Sequence, residues 1–283
     1  MKLVRLDSVE STNKYCEALD LAQVEDFTCY WALEQTAGIG QRGNHWASAP
    51  GENLTFSLVL HPTSLAASRQ FKLTQALSLA LVDFLKEFKE FKEFKESKEY
   101  KEFKEFKEYK EFKELKEFKD FRDNKDIKDI KDDRDIKVKW PNDLYVGPHK
   151  ICGTLVSTRL QGDTIASAVC GIGLNVNQTA FPDWVPNPTS LRLLTGSDYD
   201  LEATLRALLE RIRRRYDALC AGADMQQEYL SHLMNLGCEA RYGYLGREIT
   251  AVITGVDDHG RLLLDSSDGR RLCCAMKEIT FLP

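Results

Sequence analysis

The chain has 283 residues, 43% of them hydrophobic and 29% charged, and a formal net charge of −5 with a pI near 5.7. This length and apolar content suffice to bury at least one substantial core, which excludes a disordered protein and suits one large domain or two unequal ones. The acidic balance argues against general nucleic-acid binding, which needs a clustered basic surface, and no apolar run approaches the roughly 18 residues of a membrane-spanning helix.

The start of the chain and its cysteines indicate the compartment. The first residues lack the apolar core and the cleavage site of a signal peptide, so we expect a cytoplasmic protein. No helix-turn-helix segment precedes the first motif, which argues against a DNA-binding repressor. The eight cysteines are scattered and the five histidines form no metal-binding motif. We therefore expect buried free thiols and no built-in metal site.

The first third of the chain predicts strands and helices in alternation. Residues 2–6 read as a strand, a helix follows from Ser11, and residues 28–34 and 53–60 read as further strands. A glycine-rich segment separates the last two, and a helix is expected over about residues 66–85.

A Lys-Glu-Phe repeat occupies about residues 86–136. Residues three apart lie about 300° apart around an α-helix, so the aromatic residues drift around the helix and create no fixed apolar face. The composition nevertheless favours a projecting helix or helical hairpin. We interpret it as a tolerated expansion in a surface connection, with an arm that associates with another copy as the alternative.

The second half is dominated by strands. The segments IKVKW, DLYV, ICGTLVSTRL and TIASAVCGIGLNV have β-branched or alternating character, and helices are predicted over residues 200–221 and near 225–233. From Cys238 onward, short strands and tight turns predict a small β-barrel-like domain. Together these elements indicate an α+β fold, a sheet with helices on one face.

The glycine-rich segment at 38–43 matches GxGxxG without being a dinucleotide-binding turn. Such a turn opens directly into a helix, whereas this one runs through NHWASAPGE into a strand. Its backbone NH groups beside Arg42 are suited to wrapping a phosphate or carboxylate, and Trp46 adds a flat apolar surface. We call residues 38–46 the glycine loop.

Two further motifs carry polar residues within apolar strands. KWPND at 139–143 is followed by Lys150 and Gly153, and a lysine held there could neutralise two anions that must meet. GIGLNVN at 171–177 ends a strand in amides, and Asn175 could read an adenine edge because an amide both donates and accepts.

Together these motifs resemble the biotin–protein ligase family, in its form without an N-terminal DNA-binding domain. KWPND followed by Lys150 is the specific part, and the resemblance covers nearly all of the chain outside the repeat. It implies a mixed sheet packed with helices over residues 1–235, of the class II aminoacyl-tRNA synthetase-like, biotin–lipoate ligase type. Residues 236–283 would form a small SH3-like β-barrel.

The resemblance also implies roles for individual residues. The biotin site would comprise Ser11, Thr12, Asn13, Gln35, Gly38, Ile39, Gly40, Gln41, Lys150 and Gly153. The ATP site would comprise Arg42, Trp46, Asn142, Asp143 and Asn175. Lys150 and Arg42 would be catalytic, Lys150 by stabilising charge on the biotin carboxylate and the α-phosphate, Arg42 by lying near phosphate.

The implied reaction has two steps. Biotin and MgATP, as substrates, would give biotinyl-5'-AMP, and a lysine of a biotin carboxyl carrier domain of a carboxylase would then take the biotin. No permanently bound cofactor, no nucleic acid and no membrane would be involved. Some members of the family pair through a sheet edge, so a homodimer is one expectation.

One departure and two alternatives accompany this prediction. The family usually has arginine where this chain has Ile39, and often a second where it has Gln41, so charge-assisted bonds to the adenylate would be lost. A lipoate or octanoate ligase is the nearest alternative, because that family shares the fold and uses a related lysine. The other is a non-catalytic biotin sensor in which Ile39 marks a degraded site.

Overall fold

The computed structural model describes residues 1–88 and 136–282. Residues 89–135 of the Lys-Glu-Phe repeat lie outside the described residues, and the helix or helical hairpin predicted for the repeat falls on that part of the chain. Within the described ranges, no helix is both long enough and apolar enough to cross a membrane.

A seven-stranded sheet forms the larger part of the protein, in the order β1-β2-β3-β7-β6-β5-β4. Its strands are β1 (Leu3–Val9), β2 (Thr28–Gln35), β3 (Leu54–Leu60), β4 (Ile136–Lys139), β5 (Asp143–Val146), β6 (His149–Gln161) and β7 (Thr164–Leu174). The β1–β2 pair is parallel, and the other pairs are antiparallel. The sheet is therefore mixed, as predicted.

Five α-helices and three short 3-10 turns lie in the described residues. The helices are α1 (Thr12–Glu17), α2 (Phe71–Lys86), α3 (Leu191–Thr195), α4 (Leu201–Cys220) and α5 (Gln226–Ser231); the turns are Leu21–Gln23, Gln41–Gly43 and Ala67–Arg69. The helix predicted from about residue 66 begins later, because Ala67–Arg69 forms a separate turn. Helix α3 was not predicted, since it is too short to show a periodic pattern.

The two faces of the sheet carry different side chains. On β3, Leu54, Phe56, Leu58 and Leu60 belong to the main hydrophobic core, whereas Val59, on the opposite face, packs in a smaller cluster with Cys16 of α1. Strands alternate their side chains between two faces, so one strand serves both clusters. We call these the core face and the site face.

The long helices cover the core face and α1 covers the site face. Helices α2 and α4 pack against each other, and α2 also contacts β4, β5 and β6; α1 contacts β2, β3 and β7. The expectation that all helices lie on one face is therefore wrong for α1. Leu205, Leu208, Leu209 and Ile212, which recur at helical spacing along α4, are buried in the core.

A second, five-stranded antiparallel sheet follows α5, in the order β11-β10-β9-β8-β12. Its strands are β8 (Glu239–Tyr244), β9 (Arg247–Val256), β10 (Leu262–Ser266), β11 (Arg271–Cys274) and β12 (Ile279–Phe281). This arrangement is consistent with the predicted SH3-like barrel. The Trp140 Nε1 group of the larger part donates to the Gly260 carbonyl at 3.0 Å, which joins the two parts. The boundary between residues 235 and 236 stays a prediction.

A charge network links the three helices on the core side. Arg215 of α4 donates to both carboxylate oxygens of Asp83 on α2, at 2.7 and 2.8 Å, and to both of Glu228 on α5, at 2.7 and 2.6 Å. The hydrogen bond from Arg215 holds the pKa of the Glu228 carboxyl below its usual value. Helix packing and charge neutralisation are thus coupled at one guanidinium group.

We predict that Arg215→Met destabilises the fold by about 1–2 kcal/mol, between the values for exposed and buried ion pairs, because two carboxylates lose their shared cation. The control is Arg206→Met on the same helix, where an exposed pair with Glu202 should contribute under about 0.5 kcal/mol. Urea unfolding at neutral pH measures both, and equal losses would contradict a special role for Arg215.

The same network predicts a pH dependence. The pKa of Glu228 is lower in the folded state than its ordinary value of 4.5. Its contribution to the free energy of unfolding is therefore complete above pH 4.5 and is lost as the pH falls through the pKa of the folded state. The stability difference between the parent and Glu228→Gln should therefore be full at pH 7 and shrink in acid. A difference that stays constant from pH 7 to pH 3 would contradict this.

Candidate functional site

A cavity of about 350 Å³ opens on the site face. Its walls come from α1, the glycine loop, strands β3 to β7 and, from the C-terminal part, β12. The predicted site residues that line it are Ser11, Thr12, Asn13, Gln35, Ile39, Gly40, Gln41, Trp46, Asn142, Asp143, Lys150 and Gly153. The chain thus brings residues more than 130 positions apart into one site.

Two predicted residues, Gly38 and Asn175, stand apart from this wall. Gly38 lines an adjoining hollow that also contains Trp184. Asn175 is buried, does not line the cavity and donates to the Thr189 carbonyl at 2.8 Å. Its Oδ1 atom has no partner among the described residues, and its role at adenine stays a prediction. The side chain of Arg42 lies outside the described part of the chain, and its role stays a prediction.

A buried polar network forms one end of the cavity. The Gln35 Oε1 atom accepts from the Thr12 backbone NH at 2.7 Å and from its hydroxyl at 3.1 Å. The Ser57 hydroxyl lies 2.7 Å from Thr12 Oγ1 and 2.6 Å from Asn13 Oδ1. Ser11, Thr12 and Asn13 are each under 5% exposed. Buried groups of this kind suit a small polar ligand group that both donates and accepts.

Ser57 was not predicted as a site residue, although it is the one hydroxyl on β3 that meets this network. The available signal was a small polar residue inside the apolar run LTFSLVL. Gly171 completes the arrangement from β7, because a Cβ atom there would overlap the Asn13 side-chain amide. The network therefore needs both the hydroxyl of β3 and the missing side chain of β7.

The glycine loop folds back on itself above the sheet. Ile39 and His45 form a β-bridge, and the Gly40 NH donates to the Asn44 carbonyl at 2.7 Å. This places the Trp46 indole against Gly173, where a Cβ atom would overlap the ring. The Trp46 indole NH is buried without a hydrogen-bond partner among the described residues. The loop thus covers the cavity with a flat apolar ring, as its sequence suggested.

An ion pair lies beside that ring. Lys150 Nζ is 2.6 Å from Asp143 Oδ2, and the two side chains are 25% and 31% exposed. The ammonium also lies 5.7 Å from the centre of the Trp46 ring. The backbone of Lys150 is fixed by hydrogen bonds with Asn187 and Thr189. A fixed cation half-shielded from water is suited to stabilising an anion at the same place.

Asn142, on the same cavity wall, has a buried polar atom that makes no hydrogen bond with the described residues. Its amide donates to the Thr154 carbonyl, while its Oδ1 atom is buried without a partner among the described residues. The Thr154 hydroxyl, also on the cavity wall, is in the same condition. Buried polar atoms without partners mark places where a ligand or a water would be held.

A second lysine reaches the cavity from β4. Lys139 Nζ lies 5.6 Å from the centre of the Tyr145 ring and 5.3 Å from that of Phe281 on β12. Burial lowers the pKa of the Lys139 ammonium, partly offset by the nearby Asp143. Lys139 belongs to the KWPND motif but was given no role, and the contribution of β12 had no signal in the sequence.

Two family models match the chain. The biotin/lipoate A/B protein ligase family matches residues 6–175, more than half of the chain, and the biotin protein ligase C terminal domain matches residues 237–281. The chain belongs to the biotin/lipoate A/B protein ligase family. This match and the mixed sheet confirm the predicted fold class.

Relatives in this family are similar over most of the chain. The bifunctional ligase/repressor BirA of Bacillus subtilis is 25% identical over 272 residues, covering 94% of this chain and 70% of the relative. A biotin--[acetyl-CoA-carboxylase] ligase of Paracoccus denitrificans is 26% identical over 278 residues, covering 94% and 95%.

Solved structures share the fold. The biotin protein ligase from Aquifex aeolicus, in complex with biotin and ATP, has a TM-score of 0.68 at 23% identity, covering 99% of this chain and 98% of that one. The biotin protein ligase from Leishmania major, in complex with biotin, has a TM-score of 0.56 at 19% identity, covering 97% and 98%.

We predict that Gly173→Ala displaces the Trp46 indole, because the added methyl group and the ring cannot share the same space. Acrylamide quenching of tryptophan fluorescence should increase relative to the parent. The same substitution in a Trp46→Phe background should leave the quenching unchanged, because the displaced ring is absent. The control is Gly255→Ala, another strand glycine, where a Cβ atom would meet only Leu263 at 4.0 Å. Unchanged quenching in Gly173→Ala would contradict this packing.

Proposed function

We propose that this member of the family is a biotin–protein ligase, which adenylates biotin with MgATP and transfers it to a lysine of a biotin carboxyl carrier domain. The observation that carries the proposal is one cavity with a buried donor-and-acceptor network at one end and the Lys150–Asp143 pair further along its wall. The names of the relatives and of the solved structures support the same activity.

Biotin presents a polar ureido head and a carboxylate tail, and the cavity offers a partner for each. The ureido group donates from two NH groups and accepts at its carbonyl, which matches the hydroxyls of Ser11 and Thr12 and the amide of Asn13. The carboxylate would lie near Lys150. Leu155 and Trp46 also line the cavity and would contact the apolar parts of the ligand.

In the first step, a carboxylate oxygen of biotin forms a bond to the α-phosphorus of ATP. The bond from that phosphorus to the bridging oxygen breaks, and pyrophosphate leaves. Two anions must meet for this to occur, and Lys150 lowers their repulsion, while Asp143 fixes the position of the ammonium. Magnesium would enter with the nucleotide as part of the substrate, and the Asp143 carboxylate on the described cavity wall would offer it an oxygen donor.

In the second step, the amine nitrogen of the acceptor lysine attacks the acyl carbon of the mixed anhydride. The carbon–oxygen bond to phosphate breaks, AMP leaves, and the amine loses a proton. The anhydride must survive until the acceptor arrives, and the cover formed by the glycine loop with Trp46 would keep water from it. The proposal includes the cytoplasm as the compartment and a carboxylase carrier domain as the partner; a homodimer stays a prediction.

Lys150→Met should lower biotin-dependent pyrophosphate release by about 100-fold or more, because the variant keeps the apolar stem and removes the charge that stabilises the transition state. Lys2→Met, at an exposed position, is the control and should retain full rate. The assay contains biotin, MgATP and a purified carrier domain.

Three results would count against this proposal. Full activity in Lys150→Met would remove the assigned cation. Activity with lipoate in place of biotin would indicate the related lipoate ligases, and tight biotin binding without pyrophosphate release would indicate a biotin sensor.

The isoleucine in the glycine loop gives a further expectation. Ile39 lines the cavity, where it offers no charge to a phosphate or carboxylate. Ile39→Arg should slow release of biotinyl-5'-AMP, since a charge-assisted hydrogen bond contributes roughly 1.5–3 kcal/mol. Ile39→Met, which adds no charge, is the matched control. A release rate that is the same in both variants would disprove the idea.

A further inference from the structure

The cavity wall contains a row of residues that crosses four strands in register. Lys139 on β4 pairs with Asp143 on β5, Asp143 pairs with Gly153 on β6, and Gly153 pairs with Gly173 on β7. Neighbouring strands lie about 4.8 Å apart, so the row runs roughly 14 Å along the floor of the site. Lys139 lies at its outer end, one strand beyond Asp143.

Lys139, which belongs to this row, and Lys150, which lies beside it, differ in their partners. Lys150 is bound to Asp143 at 2.6 Å. Among the described residues, no carboxylate lies within ion-pairing distance of Lys139, whose ammonium instead faces the Tyr145 and Phe281 rings. Burial lowers the pKa of Lys139, which means that the charged form is held at a cost. A bound anion would offset that cost.

The direction of the row matches the direction of the reaction. The polar network for the ligand head lies at the β7 end, since Asn13 packs against Gly171, and Lys150 lies further along. In phosphoryl chemistry the attacking and leaving oxygens are roughly in line. A carboxylate that arrives from the β7 side therefore expels its leaving group toward β4, where Lys139 lies.

Arg42 keeps its predicted place near phosphate, but its side chain lies outside the described part, and the described lining residues offer few other cations for this anion. The glycine loop carries Ile39 and Gln41 on the wall, and the ammonium groups among the described lining residues are those of Lys139 and Lys150. Lys150 is the group placed at the α-phosphate. Lys139 is then the described ammonium group available to the β- and γ-phosphates.

We propose that Lys139 binds the β- and γ-phosphates of ATP and the departing pyrophosphate, and that Phe281 of the C-terminal part holds its ammonium in position. This proposal deepens the proposed ligase function and rests on it for the identity of the nucleotide reaction. The ligand class is a polyphosphate anion.

The test compares Lys139→Met, which keeps the stem, with Lys139→Arg, which restores a cation. Lys137→Met is the control, because Lys137 lies on the same strand, changes the net charge equally and does not line the cavity. For each full-length variant, three quantities are measured: binding of inorganic pyrophosphate by calorimetry, KM for ATP, and transfer of biotin from preformed biotinyl-5'-AMP to a carrier domain.

We expect Lys139→Met to weaken pyrophosphate binding and raise KM for ATP about tenfold or more, as loss of a charge-assisted contact implies. Transfer from preformed biotinyl-5'-AMP should change less than about twofold, because no pyrophosphate takes part in it; this also reports an intact fold. Lys139→Arg should recover most of the loss, and Lys137→Met should match the parent.

The outcomes separate the two proposals. Either of two results would overturn the role of Lys139 while leaving the ligase assignment intact. One is equal pyrophosphate binding by the parent and by Lys139→Met. The other is a loss of transfer from preformed biotinyl-5'-AMP as large as the loss in the ATP-dependent reaction. A parent protein that releases no pyrophosphate with biotin and ATP would overturn the ligase function, and the calorimetric comparison would still decide whether Lys139 binds the anion.

Discussion

Three glycines leave part of one face of the neighbouring strands β6 and β7 without side chains, and the rest of the site depends on that bare surface. Gly171 admits Asn13, and Gly153 and Gly173 admit the Trp46 ring. The opposite face of the same strands carries Cys152, Ile172 and Leu174 in the main core. A sheet that is fully packed on one side and bare on the other provides a rigid floor without filling the cavity above it.

This rigid floor determines what the charged groups can do. The Lys150–Asp143 pair is held by two paired strands and by the backbone bonds of Lys150 to residues 187 and 189. Because its partner is already in place, the ammonium needs little reorganisation when a substrate anion arrives. A lysine on a mobile segment would lose side-chain freedom at that moment and would stabilise the anion less. The core face therefore contributes to catalysis by fixing the site face.

The sequence predicted those parts of the molecule in which one residue pattern has one structural solution. Helix α4 follows from the helical spacing of its apolar residues, and the structure adds a cap at Asp200, which accepts from the Ala203 NH at 2.7 Å. Ser57 could not be assigned to the site, because β3 is buried on both faces and its sequence does not show which face α1 covers. Phe281 could not be assigned either, since its place beside Lys139 depends on how the C-terminal part docks. Spacing within a motif brought the lysine and aspartate together; long-range packing placed the groups around them.

The distribution of cations between sheet and loop has a consequence for the order of events. A phosphate held by glycine-loop arginines is bound only when the loop is closed, so nucleotide binding and loop closure become one step. In this chain Ile39 supplies no such charge, which leaves Arg42 as the arginine of the glycine loop, while Lys139 and Lys150 stand on strands β4 and β6. Under the proposed roles, the two lysines of the sheet can hold phosphate whether or not the loop is closed, while the loop contributes Arg42 and the Trp46 ring once it closes. If Lys139 and Lys150 act as proposed, the first contacts with the nucleotide need not wait for loop closure, whereas shielding of the adenylate by the Trp46 ring does.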